Sequence, residues 1–246
     1  MSNIIKPDDT GTALSKPLYV PIKRRSFFMY AGATAGVTAL ALAGCNDDNN
    51  NNPNYIDVGA GDVGVLNYAY ALEQLEAAFY AQVLTGGYFT AAGTPEAEKQ
   101  IFRDLALHEK IHVDFFKQAI SGANATPLKD LTPDFSSINF GERASVLNAA
   151  KTFEDLGVAA YNGAGQYIQN AAYLTIAGKI VSVEARHAAL IRDLITFNSF
   201  VADDVVDFSL TSATARQEKS KSPTEVLNAA NMYLADGSKL SASSLQ

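Results

Sequence analysis

The sequence predicts an all-α protein built around an antiparallel four-helix bundle. Ala is abundant and long stretches lack Pro, which favours helix. Between residues 60 and 197, four long segments carry apolar residues at helical spacing. The first two segments are separated by a short link, so we expect antiparallel neighbours. About 20 residues, including Pro127 and Pro133, separate the second segment from the third, which predicts a long crossover along the bundle.

Local signals place the helix ends. A Gly pair at 86–87 ends the first helix, and Thr94-Pro95-Glu96 supplies an N-cap and a first-turn Pro for the second. Ser222-Pro223-Thr224-Glu225 begins a short C-terminal helix in the same way. The predicted long helices span about 63–84, 94–122, 141–169 and 171–197, and the short one ends near Leu234.

Residues 1–45 are predicted to be an export signal. Arg24-Arg25, followed by Ser26-Phe27-Phe28 and a mildly apolar run, resembles a twin-arginine signal. Leu42-Ala43-Gly44-Cys45 resembles a bacterial lipobox, in which the Cys becomes the lipidated N-terminus. The alternative is an uncleaved membrane anchor, although a run of about 18 residues is marginal for spanning a bilayer. We therefore expect twin-arginine export and a lipid-anchored protein in the periplasm or cell envelope.

The composition of the remaining chain limits its partners. Residues 46–59 begin with NDDNNNNPN, which has no apolar residue, and they are predicted to form a flexible tether. After residue 44 the chain carries 14 basic and 24 acidic residues, which argues against nucleic-acid binding. Its single Cys excludes an internal disulfide framework and a Cys-rich metal site. Residues 198–246 are expected to be a C-terminal extension without evident chemistry.

The four helices consist of two copies of one helix pair. ALEQLEAAFY (71–80) in the first helix aligns without gaps with TFEDLGVAAY (152–161) in the third. LALHEKIHV (105–113) in the second aligns with IVSVEARHA (180–188) in the fourth. Each copy therefore contains a Glu followed seven residues later by a Tyr, and then a Glu-x-x-His motif.

The acids and histidines of this repeat lie on the apolar stripes of their helices. Ile101, Leu105, Glu109, His112 and Phe116 follow steps of four, four, three and four, and the fourth helix repeats those steps. The first and third helices follow steps of four, three, four and three through Glu73 and Glu154. Four carboxylates pointing into one bundle would repel each other, and two divalent cations would remove that repulsion. The alternative is a set of surface Glu–His pairs without metal. The predicted ligands are Glu73, Glu109, His112, Glu154, Glu184 and His187.

This pattern resembles the ferritin-like family of di-iron carboxylate proteins, and LEQLEAAFY and VEARHAALIRDL resemble its desiccation-related branch. The resemblance covers about residues 60–197 and implies that Tyr80 and Tyr161 donate hydrogen bonds to ligand carboxylates. Glu76 could be a seventh ligand, a neighbour of the ligands or a surface residue. Peroxidase-type rubrerythrins carry a further Glu where this chain has Gly157, so the chain departs from the peroxidase pattern at that position.

Together with the predicted signal, the resemblance implies an exported, membrane-tethered protein with a dinuclear centre, most readily di-iron. Its role would be oxidase, ferroxidase or peroxide scavenging in envelope stress, with dioxygen or peroxide as the small-molecule partner. One alternative is a metal-binding or structural stress protein without turnover. Another is a dimanganese catalase-like enzyme, since the same ligands suit manganese. The sequence leaves turnover open, does not predict a storage cage, and is compatible with a homodimer.

Overall fold

The computed structural model describes residues 54–212 and 214–245. The predicted signal, Cys45 and most of the predicted tether lie outside these residues. Within them, no helix is both long enough and apolar enough to cross a bilayer. The helices are α1 (Gly61–Val83), α2 (Gly87–Thr90), α3 (Glu96–Gly122), α4 (Arg143–Ala164), α5 (Ala171–Ile195) and α6 (Pro223–Ala230), and the strands are β1 (Ile56–Asp57) and β2 (Leu240–Ser241).

The four long helices form the predicted bundle, which confirms the fold class. α1 packs mainly on α3, and α4 mainly on α5. Tyr80 near the end of α1 contacts Phe102 near the start of α3, with ring centroids 6.4 Å apart, so these helices are antiparallel. Arg143 at the start of α4 pairs with Glu98 near the start of α3, at 2.8 Å. α3 and α4 therefore start at the same end of the bundle.

The connection between α3 and α4 must return along the bundle, because both helices start at the same end. Side chains of α1 hold it there. The backbone N–H of Leu128 donates to the Asn67 side chain at 3.2 Å, and that of Leu131 donates to the Gln74 side chain at 2.9 Å. These bonds satisfy backbone donors that helix and sheet leave unpaired. The predicted crossover is thus fixed to the surface of α1.

The C-terminal extension completes the hydrophobic core. A capping box at Ser222 and Glu225 begins α6, as the sequence predicts. The side chains of Val226 and Leu227 on α6 are fully buried. They belong to the same core cluster as Phe79, which contacts the Phe153 ring at a centroid distance of 4.9 Å. Residues after α5 therefore contribute to the stability of the bundle as well as extending the chain.

The beginning of the described chain differs from the predicted tether. Residues 56–59 were expected to belong to the tether, but β1 pairs in parallel with β2, with Ile56 opposite Leu240. Val58 is buried, with 1% of its surface exposed. The physical reason is that Ile56 and Val58 bury apolar surface against the C-terminal extension, which sequence periodicity over two residues cannot reveal. The start of the domain and its C-terminal end are thus joined.

Candidate metal centre

Each of the four long helices contributes one fully buried glutamate at the centre of the bundle. Glu73 lies on α1, Glu109 on α3, Glu154 on α4 and Glu184 on α5, and all four have 0% exposure. Apolar residues one or two turns away on the same helix face carry each carboxylate inward. On α3, for example, Leu105 and Phe116 are buried on either side of Glu109. Burying four charged groups is costly unless something neutralises them.

The buried acids and two histidines form two overlapping clusters of possible ligand atoms. One cluster contains Glu73, Glu109, His112 and Glu184, and the other contains Glu109, Glu154, Glu184 and His187. In each cluster the chosen nitrogen and oxygen atoms all lie within 4.8 Å of one another. Glu109 and Glu184 belong to both, so each can offer one oxygen to either side. This arrangement has the form of two adjacent cation positions bridged by two carboxylates.

Both histidines turn Nδ1 towards the carboxylates. His112 Nδ1 lies 3.1 Å from Glu73 Oε2, 3.2 Å from Glu109 Oε2 and 3.0 Å from Glu184 Oε1. His187 Nδ1 lies 2.9 Å from Glu109 Oε1 and 3.5 Å from oxygens of Glu154 and Glu184. A single ring nitrogen cannot satisfy three carboxylates by hydrogen bonding, since it carries at most one hydrogen. A metal ion between these atoms could satisfy all of them.

Several buried oxygen and nitrogen atoms of the two clusters lack hydrogen-bond partners and are therefore available to bind cations. Within the described part of the chain, the cluster atoms buried without a hydrogen-bond partner are Glu109 Oε1, Glu154 Oε2, both Glu184 oxygens and His187 Nδ1. His187 Nδ1 and Glu109 Oε1 are close but lack the angles of a hydrogen bond, as expected for two atoms directed at a third centre. Buried polar atoms are normally paired. The donor set of carboxylate oxygens and imidazole nitrogens fits divalent transition metals.

Two tyrosines hold the outer carboxylates. The Tyr80 hydroxyl on α1 donates to Glu154 Oε1 on α4, and the Tyr161 hydroxyl on α4 donates to Glu73 Oε1 on α1. These two reciprocal bonds cross between the helix pairs. Each fixes one oxygen of an acid that belongs to a single cluster and leaves the other oxygen directed inward. Bonds of this kind orient metal-binding carboxylates.

The electrostatics of the centre show how the protein compensates its own charge without metal. Burial raises the pKa of Glu73, and repulsion from Glu184 adds to this effect. Burial likewise raises the pKa of Glu154, to about 8. Burial alone would lower the pKa of His112 and His187, but contact with the carboxylates outweighs it and raises both to about 12. Without metal, the positive charge of the two protonated histidines offsets part of the negative charge of the carboxylates. Binding of metal ions would displace those protons.

Glu76 is buried beside the centre rather than on the surface. Its exposure is 4%, and burial followed by repulsion from Glu73 raises the pKa of its carboxyl group well above the ordinary value. A Cβ on Gly157 would lie 3.0 Å from Glu76 Oε1. The absence of a side chain at position 157 thus leaves the space that Glu76 occupies. Glu76 on α1 and Gly157 on α4 occupy equivalent positions of the repeat, and the small residue at one position makes room for the large residue at the other.

His108 lies beside the centre although it is not part of the repeated motif from which the ligands are predicted. It is exposed on α3, and its Nδ1 lies 2.9 Å from His187 Nε2 on α5. The two rings are stacked, with centroids 5.1 Å apart and planes inclined by 23°. Its position directly before Glu109 is the one sequence feature that points to the centre. However, His108 lies off the apolar stripe of α3, and helical periodicity does not show which neighbouring helix it contacts.

Comparison with known families agrees with this geometry. A family model described as a ferritin-like domain matches residues 61–196, more than half of the chain. The chain therefore belongs to the ferritin-like domain family, and its buried Glu and His clusters are compatible with a dinuclear metal site. No curated protein matches the chain significantly.

Proposed function

We propose that this protein binds two iron ions in a bridged centre and uses them to reduce dioxygen or peroxide at the cell envelope. The observation that carries the proposal is the sharing of Glu109 and Glu184 between two clusters, in which five buried ligand atoms lack a hydrogen-bond partner among the described residues. Two cations would neutralise the four carboxylates and let both histidines bind as neutral ligands. His112 and Glu73 would hold one ion, and His187 and Glu154 the other.

When bound, two ferrous ions supply two electrons, which is enough to convert hydrogen peroxide and two protons into two water molecules, or dioxygen and two protons into hydrogen peroxide. The protein's own contribution is geometric and electrostatic. Tyr80 and Tyr161 fix the outer carboxylates, while Glu109 and Glu184 on α3 and α5 would offer oxygens to both ions. The apolar residues around these groups exclude bulk water and strengthen every charge interaction within the site.

The cellular location is part of the same proposal and rests on the sequence. Arg24-Arg25 would direct the precursor to the twin-arginine route, and Cys45 would carry the lipid. Twin-arginine export carries folded cargo, so metal could be inserted before translocation. A site that needs metal to neutralise buried charge would benefit from that order of events.

Metal analysis of protein purified from its native host, followed by activity assays, tests the function. We expect two iron ions per chain, oxygen-dependent oxidation of added ferrous iron, and consumption of hydrogen peroxide. Glu98→Gln is a matched control, because Glu98 is a buried acid of α3 that pairs with Arg143 outside the clusters. This variant should retain both ions and both activities.

The same measurements separate the alternatives. Two manganese ions with rapid peroxide disproportionation would replace the proposal by a dimanganese catalase-like function. Two tightly bound ions without turnover of dioxygen or peroxide would indicate a metal-binding or structural protein rather than an enzyme. Absence of metal from the native protein would contradict all metal-based functions of this centre.

A further inference from the structure

A small apolar cavity, partly open to solvent, lies in the wall of the bundle beside the candidate centre. All four long helices contribute to it, and its volume is about 30 Å³. By this measure one water molecule needs about 10–15 Å³, so the cavity has room for a molecule of two heavy atoms. Residues lining it include Leu66, Ala69, Phe116, Ala160, Tyr161 and Ile176.

The polar groups around the cavity are few, and most are already engaged. Asp62 lines it, but its two oxygens accept hydrogen bonds from the backbone N–H groups of Gln169 and Asn170, at 2.7 and 3.0 Å. Tyr68 also lines the cavity, and its hydroxyl is buried without a hydrogen-bond partner among the described residues. The remaining wall is mainly hydrocarbon. A hydrocarbon lining of this kind offers water few hydrogen-bond partners and favours small apolar molecules.

One side chain connects the cavity with the centre. Tyr161 forms part of the cavity wall, and its hydroxyl donates to Glu73, a proposed ligand. A molecule held in the cavity is therefore separated from the cluster by the Tyr161 side chain and its immediate neighbours.

We infer that this cavity holds dioxygen for the centre, an inference that rests on the proposed function and selects dioxygen over hydrogen peroxide. Dioxygen is apolar, has two heavy atoms and needs no hydrogen-bond partners. Hydrogen peroxide would bring two O–H donors against a mainly hydrocarbon wall, and leaving such donors unpaired costs free energy. The cavity thus discriminates between two oxidants of similar size by polarity.

Xenon-pressurised crystals of the metal-loaded protein provide the direct test, since xenon occupies apolar gas-binding cavities. We expect a xenon atom in contact with Leu66, Ala69 and Tyr161. Ala69→Val and Ala164→Val each add methyl groups to the lining from a different helix, and each should remove most of the xenon occupancy. Tyr68→Phe is the control, because it removes only the hydroxyl and should retain full occupancy. If the occupant were an ordered water held by that hydroxyl, wild-type crystals would show water instead of xenon.

Kinetics supply a second readout on the same variants. With Ala69→Val, the KM for dioxygen should rise several-fold while the KM for hydrogen peroxide stays unchanged. Wild-type crystals without xenon, or an equal change in both KM values, would overturn the inference. Two bound iron ions with an unoccupied cavity would refute the inference alone. Xenon binding in a protein that never binds metal would refute the proposed function and, with it, the assigned role of the cavity.

Discussion

His108 Nδ1 lies 2.9 Å from His187 Nε2, so an exposed histidine of α3 contacts the outer nitrogen of a buried histidine of α5. The inner nitrogen, His187 Nδ1, faces Glu109 at 2.9 Å. If the outer nitrogen donates its hydrogen to His108, the inner nitrogen is left with a free lone pair. Metal-binding histidines commonly have their second nitrogen fixed by such a partner. His108 would thus select the tautomer of His187 that binds metal.

His108→Ala should weaken binding of one of the two metal ions by about 10–100-fold, the usual cost of removing such a partner. His108→Gln should restore part of the affinity, because its side-chain oxygen can accept the same hydrogen bond. Leu107→Ala is the control on the neighbouring exposed position of α3, with no expected effect. Competition titrations with a metal-binding dye measure these affinities. Equal affinity in His108→Ala and wild-type protein would remove His108 from the site.

The metal-free protein should lose stability as pH rises through the neutral range. His112 and His187 have folded-state pKa values of about 12 against 6.5 when unfolded, so their stabilisation is complete below pH 6.5 and is lost gradually towards pH 12. Glu154, with its pKa raised to about 8, becomes destabilising as pH rises from 4.5 to 8. Both effects have the same sign, and the melting temperature should fall between pH 6.5 and 9.

The metal-loaded protein is the control for this pH dependence. Its histidines would already be neutral ligands and its carboxylates already charged, so its melting temperature should vary much less over the same range. Thermal unfolding followed by circular dichroism measures both forms. A metal-free melting temperature that is constant or increases from pH 6.5 to 9 would show that the histidines are not protonated in the folded state.

Helical periodicity explains which parts of the centre were predictable. Glu73, Glu109, Glu154 and Glu184 each occupy a position on an apolar stripe, and the internal repeat identifies equivalent positions in both halves. Once the chain forms a bundle, side chains at these positions must meet. The structure brings together all six predicted ligands, and the helix ends agree to within a few residues except at the end of α4.

Features that depend on tertiary contact were not predictable in this way. The stacking of His108 on His187, the pairing of Ile56 with Leu240 and the burial of Leu227 each join segments far apart in the chain. No local pattern encodes such contacts. The four-residue helix α2 and the helical end of α4 at Ala164, followed by a 3₁₀ turn at Gly165–Tyr167, were likewise missed, because short elements carry too few residues for periodicity to be recognised.

Two glycines on different helices should respond oppositely to the same substitution. A Cβ on Gly163 would lie 1.7 Å from the backbone oxygen of Lys221, so Gly163→Ala must displace the C-terminal extension and should destabilise the fold by about 1–3 kcal/mol. A Cβ on Gly178 meets nothing within 4 Å, so Gly178→Ala should stabilise α5 by about 1 kcal/mol. Urea unfolding measures both. Equal effects of the two substitutions would mean that the extension does not pack on α4.

Export and anchoring can be separated by two sets of substitutions. Replacing Arg24 and Arg25 by Lys should retain the precursor in the cytoplasm, because the twin-arginine route requires this pair. Cys45→Ala should block lipid attachment and release the protein from the membrane fraction. Cell fractionation and immunoblotting measure both outcomes. Normal processing of the double-Lys precursor would exclude the twin-arginine route, and membrane retention of Cys45→Ala would make the apolar segment before it the anchor.

Metal content and melting temperature, measured on the same samples, test the dinuclear centre most directly. Wild-type protein should hold two ions per chain, His187→Ala should lose about one, and the double variant Glu109→Ala with Glu184→Ala should hold none. The metal-free double variant should still fold, because the two protonated histidines keep Glu73 and Glu154 as charge partners, and cooperative thermal unfolding would show this. Glu98→Gln should retain both ions. Two ions in the double variant would contradict the assignment of Glu109 and Glu184 as shared ligands.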